Sequence, residues 1–171
     1  MPTISLSGGS VSSSPTSCAA GAVTVPGAPF CYPLPAGFAD NSSATDYAYG
    51  WDWRTLVSIG THDLIQVIGH PVQADLDTLT PVDALNFMES LLLRETTPGV
   101  LTATTLTNMT IDGARAFRQD AHYTIGVDTQ NYTILRGHSV VSISCQYTPS
   151  RATKVTAACA DVLATIGIVD R

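Results

Sequence analysis

Hydrophobic and polar positions alternate most clearly in "SVVSISCQY" (139–147). Val141, Ile143, Cys145 and Tyr147 fall on one side of an extended chain there, and Ser142, Ser144 and Gln146 on the other. This pattern predicts a strand with one buried face. A few residues later the period changes. Val155, Cys159, Val162, Leu163 and Ile166 recur at helical spacing and predict an amphipathic helix running to about Ile168. "TPSRATK" (148–154) is the break between the two. Earlier in the chain, "WRTLVSIG" (53–60) and "HDLIQVIG" (62–69) are β-rich runs with almost nothing between them, which is the signature of a hairpin, and Gly69-His70-Pro71 ends the second.

Between these regions a helix is expected over 80–95. Thr80 suits the N-cap, Pro81 the first helical position and Asp83 the first turn, where its charge favours the helix dipole. Leu85, Met88, Leu91 and Leu92 form its expected apolar face, and "TTPGV" (96–100) stops it. Three further strand-like segments follow at 101–111, 114–126 and 131–147, with Asp112-Gly113 a tight-turn signal between the first two. Residues 1–26 read as a flexible tail of Ser, Gly, Thr and Pro, and 27–171 as a single domain. The order is extended segment, hairpin, helix, three-strand meander, helix. It predicts an α+β domain, a largely antiparallel β-sheet with helices packed on it.

Composition narrows the function classes. Of 171 residues only 13% are charged against 44% hydrophobic, which is globular rather than disordered. The net charge is −6, Lys154 is the only lysine, and no basic run is present, so nucleic-acid binding is not expected. Apolar runs fall far short of the roughly 18 residues of a transmembrane segment, and none is expected. Residues 1–17 lack the basic start and apolar stretch of a signal peptide, and Cys18 lacks the apolar lead-in of a lipid-modified cysteine. Either a natural leader has been cut away or export takes another route.

Four cysteines permit three pairings. Cys145 and Cys159 both lie on faces that must bury, and a strand followed at once by a helix packing back on the sheet brings them together. The remaining pair, Cys18 with Cys31, would pin the N-terminal tail to the domain; buried free thiols are the alternative. Paired cysteines place the protein in an oxidising compartment outside the cytoplasm.

Candidate chemistry is sparse. "GHSVVSISC" (137–145) contains a Gly-His-Ser, but a nucleophile elbow needs Gly two residues after the serine, where Val141 stands, and a turn into a helix, where a β-branched strand begins. His62, His70, His122 and His138 show no metal-ligand spacing, and no glycine-rich phosphate loop follows a strand, so neither a metal nor a cofactor is expected. A hydrolase site assembled through space from His122, Asp120 and Ser139 is the enzymatic alternative. The most distinctive stretch is "DYAYGWDWR" (46–54). Tyr47, Tyr49, Trp51 and Trp53 recur at every second position, so an extended chain presents four rings to one side, fit either to bind a ligand or partner or to cover the core.

Three segments carry a family resemblance: "PLPAGF" (33–38), the turn "IDGARAFRQD" (111–120), and "VVSISCQY" (140–147) with "KVTAACADVLATIGI" (154–168). Over about residues 30–168 the chain resembles the secreted actinobacterial LpqN-type lipoproteins, whose fold is shared with the photosystem II subunit PsbP and the yeast Ran-binding Mog protein. The resemblance implies an α/β/α sandwich of that kind and an exported, non-enzymatic binding or accessory role in the bacterial cell envelope, toward a protein partner or an envelope ligand. The missing lipidation motif departs from the lipoprotein pattern and leaves membrane anchoring open. A third reading is a structural component of a surface assembly, with the tail and the aromatic stretch as docking elements.

Overall fold

The computed structural model describes residues 18–42, 53–94 and 99–169. The elements in chain order are β1 (Phe30–Cys31), β2 (Ala39–Asp40), β3 (Trp53–Ser58), β4 (Leu64–Pro71), α1 (Pro81–Arg94), β5 (Val100–Ala103) and β6 (Thr107–Ile111). They continue with β7 (Ala114–Tyr123), β8 (Asp128–Arg136), β9 (Ser139–Tyr147), α2 (Ala152–Thr165) and β10 (Gly167–Ile168). The main sheet is antiparallel throughout, in the order β2-β3-β4-β9-β8-β7-β5, with β6 beside β5 on the outer edge of β7. The β3–β4 hairpin forms as its sequence predicts. α1 then carries the chain across one face to the far edge, and β6 to β9 meander back until β9 closes on β4. β1 and β10 pair separately, joining the two ends of the domain.

One sheet face holds the main core. Val57, Ile65, Val67, Ile134, Val141, Ile143 and Cys145 point toward Val155, Cys159 and Val162 of α2 and toward Val23, Phe30, Tyr32 and Phe38 of the N-terminal segment. Cys145 and Cys159 are wholly buried and disulfide-bonded, with Cα atoms 6.0 Å apart. Cys18 pairs with Cys31 across 5.9 Å between Cα atoms. Gly69 has a packing role on this face. A Cβ there would stand 3.1 Å from both Phe30 Cε1 and Trp53 Cε3, so the missing side chain lets two aromatic rings settle on β4.

α1 builds a smaller core on the opposite face with Phe117, Leu135 and Val140. Its start is capped as expected: Thr80 Oγ1 accepts the Asp83 N–H at 3.2 Å and donates to Asp83 Oδ2 at 2.6 Å. The buried stripe is rotated from the expected one. Ala84 and Met88 are buried, whereas Leu85 and Leu92 are half-buried, because the small side chain of Ala84 lets the helix approach the sheet most closely along the 84–88 line.

Three boundaries also differ. The expected strand 101–111 breaks into β5 and β6 at exposed Thr104, whose N–H donates to the Asp120 carbonyl while its side-chain Oγ1, in place of a backbone carbonyl, accepts the Asp120 N–H. The expected segment 131–147 is two strands joined by a two-residue turn at Gly137-His138, with Gly137 at φ +48°. Residues 18–26, read as tail from their composition, are docked: Val23 is 2% exposed and exchanges backbone hydrogen bonds with Tyr32. A Ser/Gly-rich average hides one anchoring valine. Asp112-Gly113 forms the predicted turn, both residues at positive φ.

Two predictions follow from this packing. Met88→Ala removes a buried side chain and is expected to cost about 2–5 kcal/mol, with Leu92→Ala clearly less, in urea melts. The Tyr32 hydroxyl, bonded to Thr55 Oγ1 at 2.9 Å, is pushed above its ordinary pKa chiefly by burial. Folding therefore favours the protonated phenol. That contribution is complete below the unfolded-state value near ~10 and is lost as pH rises beyond it. Tyr32→Phe is expected to lower stability at neutral pH by about 0.5–1.5 kcal/mol while flattening the alkaline loss, read from melts between pH 8 and about 11.

Candidate functional site

α1 packs on the patch of its sheet face formed by Phe117, Leu135 and Val140. Beyond its C-terminal turn, the register sets Gln66 opposite Ser144, Ser144 opposite Asn131 and Asn131 opposite Gln119. These four side chains form one row across β4, β9, β8 and β7, spaced by about 4.8 Å per strand. The row floors a cleft of about 520 Å³, with Ile68 and Leu92 toward the helix and Val100, Ala121 and Tyr123 toward β5. No Asp, Glu, Lys, Arg or His is among the described residues that line it.

The row is partly satisfied from within. Ser144 Oγ donates to Asn131 Oδ1 at 2.8 Å, and Asn131 Nδ2 donates to Thr129 Oγ1 at 2.8 Å. Gln119 Nε2 donates to the Thr104 carbonyl at 2.9 Å, and Gln66 Oε1 accepts from Arg54 Nη2 at 3.3 Å. Gln66 Nε2 at one end and Gln119 Oε1 at the other remain for a ligand. The arrangement can exchange neutral hydrogen bonds, and its described lining carries no carboxylate or imidazole for acid–base work. Sequence reading saw Ser142, Ser144 and Gln146 as the polar side of one strand. It missed the row, because which polar position meets which is decided by strand register.

The titratable residues singled out from sequence lie on the other face. Asp120 is held by Arg118 in a two-point ion pair, at 2.8 and 2.7 Å. The Arg118 guanidinium stands over the Tyr132 ring, 5.5 Å from its centroid, and the hydrogen bond to Asp120 raises its pKa. His122 Nδ1 meets Asp128 Oδ1 at 2.6 Å. Burial raises the pKa of Tyr132, opposed by Arg118, and also that of Tyr147.

Ser139 does not join them. It is buried beside Pro71 and Arg136 at the start of β9, whereas His122 and Asp128 lie level with Tyr147 at the other end, roughly 26 Å along the strand at ~3.3 Å per residue. The site assembled from His122, Asp120 and Ser139 is therefore not formed. The two acidic side chains on this ledge are already bound to Arg118 and His122, and no cluster of three metal-ligating side chains occurs among the described residues.

Of the aromatic stretch, Tyr47, Tyr49 and Trp51 lie outside the described residues. Trp53 begins β3 and is half-buried, packed on the main core over Gly69, with its Nε1 3.2 Å from where a Cβ of Gly27 would sit. At this one position the ring serves the core margin.

No protein-family model matches the chain, and no curated protein matches it in sequence. Solved structures do. Cyanobacterial PsbP (CyanoP) from Synechocystis sp. PCC 6803 superposes with a TM-score of 0.54 at 11% identity, over 86% of this chain and 91% of that one. LpqN, described as involved in cell envelope biogenesis of Mycobacterium tuberculosis, superposes with a TM-score of 0.56 at 14% identity, over 86% and 90%. The chain thus has the α+β architecture that its sequence pattern predicts, in the PsbP-like form that the resemblance implies.

Trp53→Ala is expected to destabilise the domain by on the order of 1–3 kcal/mol, below the roughly 3–5 of a fully buried ring, as measured by thermal or urea melts.

Proposed function

We propose that this protein is an exported, non-enzymatic accessory protein of the bacterial cell envelope, which binds a partner protein or an envelope ligand in the cleft between α1 and the row from Gln66 to Gln119. The observation that carries this reading is the site's chemistry: a concave, uncharged surface with hydrogen-bonding groups on its floor and aliphatic walls. Such a site can hold a molecule through neutral hydrogen bonds and apolar contact, and no carboxylate, imidazole or ammonium group is among its described lining residues.

Two disulfides accord with an oxidising compartment. No helix among the described residues is long and apolar enough to cross a membrane. The envelope setting draws support from the printed role of LpqN, and a place among actinobacterial LpqN-type proteins is part of the same proposal. Tyr47, Tyr49 and Trp51 are proposed as a second contact surface.

Fractionation of the native host tests the location. The protein is expected with the envelope or secreted fraction, its cysteines unreactive to a thiol label until a reductant is added. A cytosolic protein with four freely labelled thiols would sink the proposal.

A further inference from the structure

We infer that the cleft takes an uncharged, extended peptide segment, gripped through its backbone amides. The inference rests on the cleft being the binding site, as proposed above, and adds the class of ligand.

Charge is the first argument. A ligand bearing a formal charge would leave water for a site with no charged side chain in its described lining, where the one guanidinium bonded to the row, Arg54, is turned to Gln66 Oε1 at the β4 end, in a chain already at −6. The occupant's buried part is therefore neutral.

The row's hydrogen-bonding order is the second. Gln66 presents a free amide N–H donor at the β4 end, and Gln119 a free amide carbonyl at the β7 end. Between them lie oxygens of Ser144 and Asn131 with acceptor capacity to spare. Donor and acceptor stand three strand spacings apart, roughly 14 Å. An extended peptide directs an N–H and a C=O to the same edge at every second residue, about every 6.8 Å, so two such repeats span the row.

The walls supply the third. Ile68 and Leu92 on one side, and Val100, Ala121 and Tyr123 on the other, suit small apolar side chains. A neutral saccharide offers comparable hydrogen bonds, but its ring faces call for an aromatic platform, and among the described residues that line the cleft only Tyr123, at the rim, presents an aromatic ring on this face. Recognition through the backbone would tolerate many neutral sequences and reject those with Asp, Glu, Lys or Arg in the buried part.

Backbone-amide NMR on the full chain tests this with three probes: acetyl-Ala-Thr-Val-Thr-amide, the same peptide with Asp replacing Val, and maltose. The neutral peptide is expected to shift the resonances of Gln66, Asn131, Ser144 and Gln119, and the acidic peptide to shift them far less. Asn131→Ala should weaken the neutral peptide about 2–10-fold, the effect of one lost hydrogen bond. Ser144→Asp should abolish its binding, with a native-like spectrum as proof of folding. If maltose shifts the row and the neutral peptide does not, the peptide class is overturned while the cleft remains a binding site. If no probe shifts it at about 10 mM, or the shifts gather at Asp120 and His122, the cleft is overturned as the ligand site.

Discussion

β9 runs through the middle of the main sheet, between β4 and β8, and its alternation of side chains decides what each face of the molecule becomes. Val141, Ile143 and Cys145 commit one face to burial, and the disulfide from Cys145 to Cys159 ties α2 onto that face. With the helix fixed there, the strand that follows it, β10, is delivered to β1, and the N-terminal segment can pack Phe30 and Tyr32 into the same core. A one-residue slip of β9 would exchange the faces, sending serines into the core and valine and isoleucine to the cleft. The buried side of β9 thus constrains the register of the whole sheet.

The opposite face follows from the same alternation with a different covering. At its start β9 is buried on both sides, since Ser139 and Val140 lie beneath the two layers. α1 packs over that end because Phe117 and Leu135 join Val140 in offering it an apolar patch. Farther along, the corresponding positions are Ser142 and Ser144, with Thr133, Asn131, Gln119 and Gln66 beside them, so a helix gains little by extending there. The cleft is where the apolar patch ends. Its polarity belongs to the sheet and its depth to the helix.

Much of this was legible in the sequence, and the limits have physical causes. Period-two and helical stripes revealed the hairpin, β9, both helices and the facing cysteines, because burial imposes those periods directly. The break at Thr104 and the docking of Val23 escaped notice, since each depends on a partner distant in the chain, Asp120 in one case and Tyr32 in the other. α1 was found with its cap, yet its buried line was misjudged by part of a turn, because alanine counts weakly as an apolar residue and strongly as room for close approach. The candidate site suffered most. His122, Asp120 and Ser139 were read by chemical type, and type says nothing about which end of a strand a residue occupies. The row of Gln66, Ser144, Asn131 and Gln119 consists of residues that, one at a time, look like an ordinary solvated face.

The two faces also divide the molecule's polar groups by kind. On the ledge around Arg118, Asp120, His122 and Asp128, Arg118 pairs with Asp120 and His122 Nδ1 meets Asp128 Oδ1, each within hydrogen-bond distance and half-exposed to water. Surface pairs of this sort contribute little net stability. Across the sheet, the row is neutral and only partly self-paired, in a concave setting where water has fewer ways to solvate it. A charge placed there meets no charged side chain in the described lining, whereas a neutral amide or hydroxyl can complete bonds that the row leaves open at its ends. On the proposed reading, selection by the cleft acts through desolvation, which disfavours charged molecules, and through the sequence of donors and acceptors that strand register has set in line, which orders neutral ones.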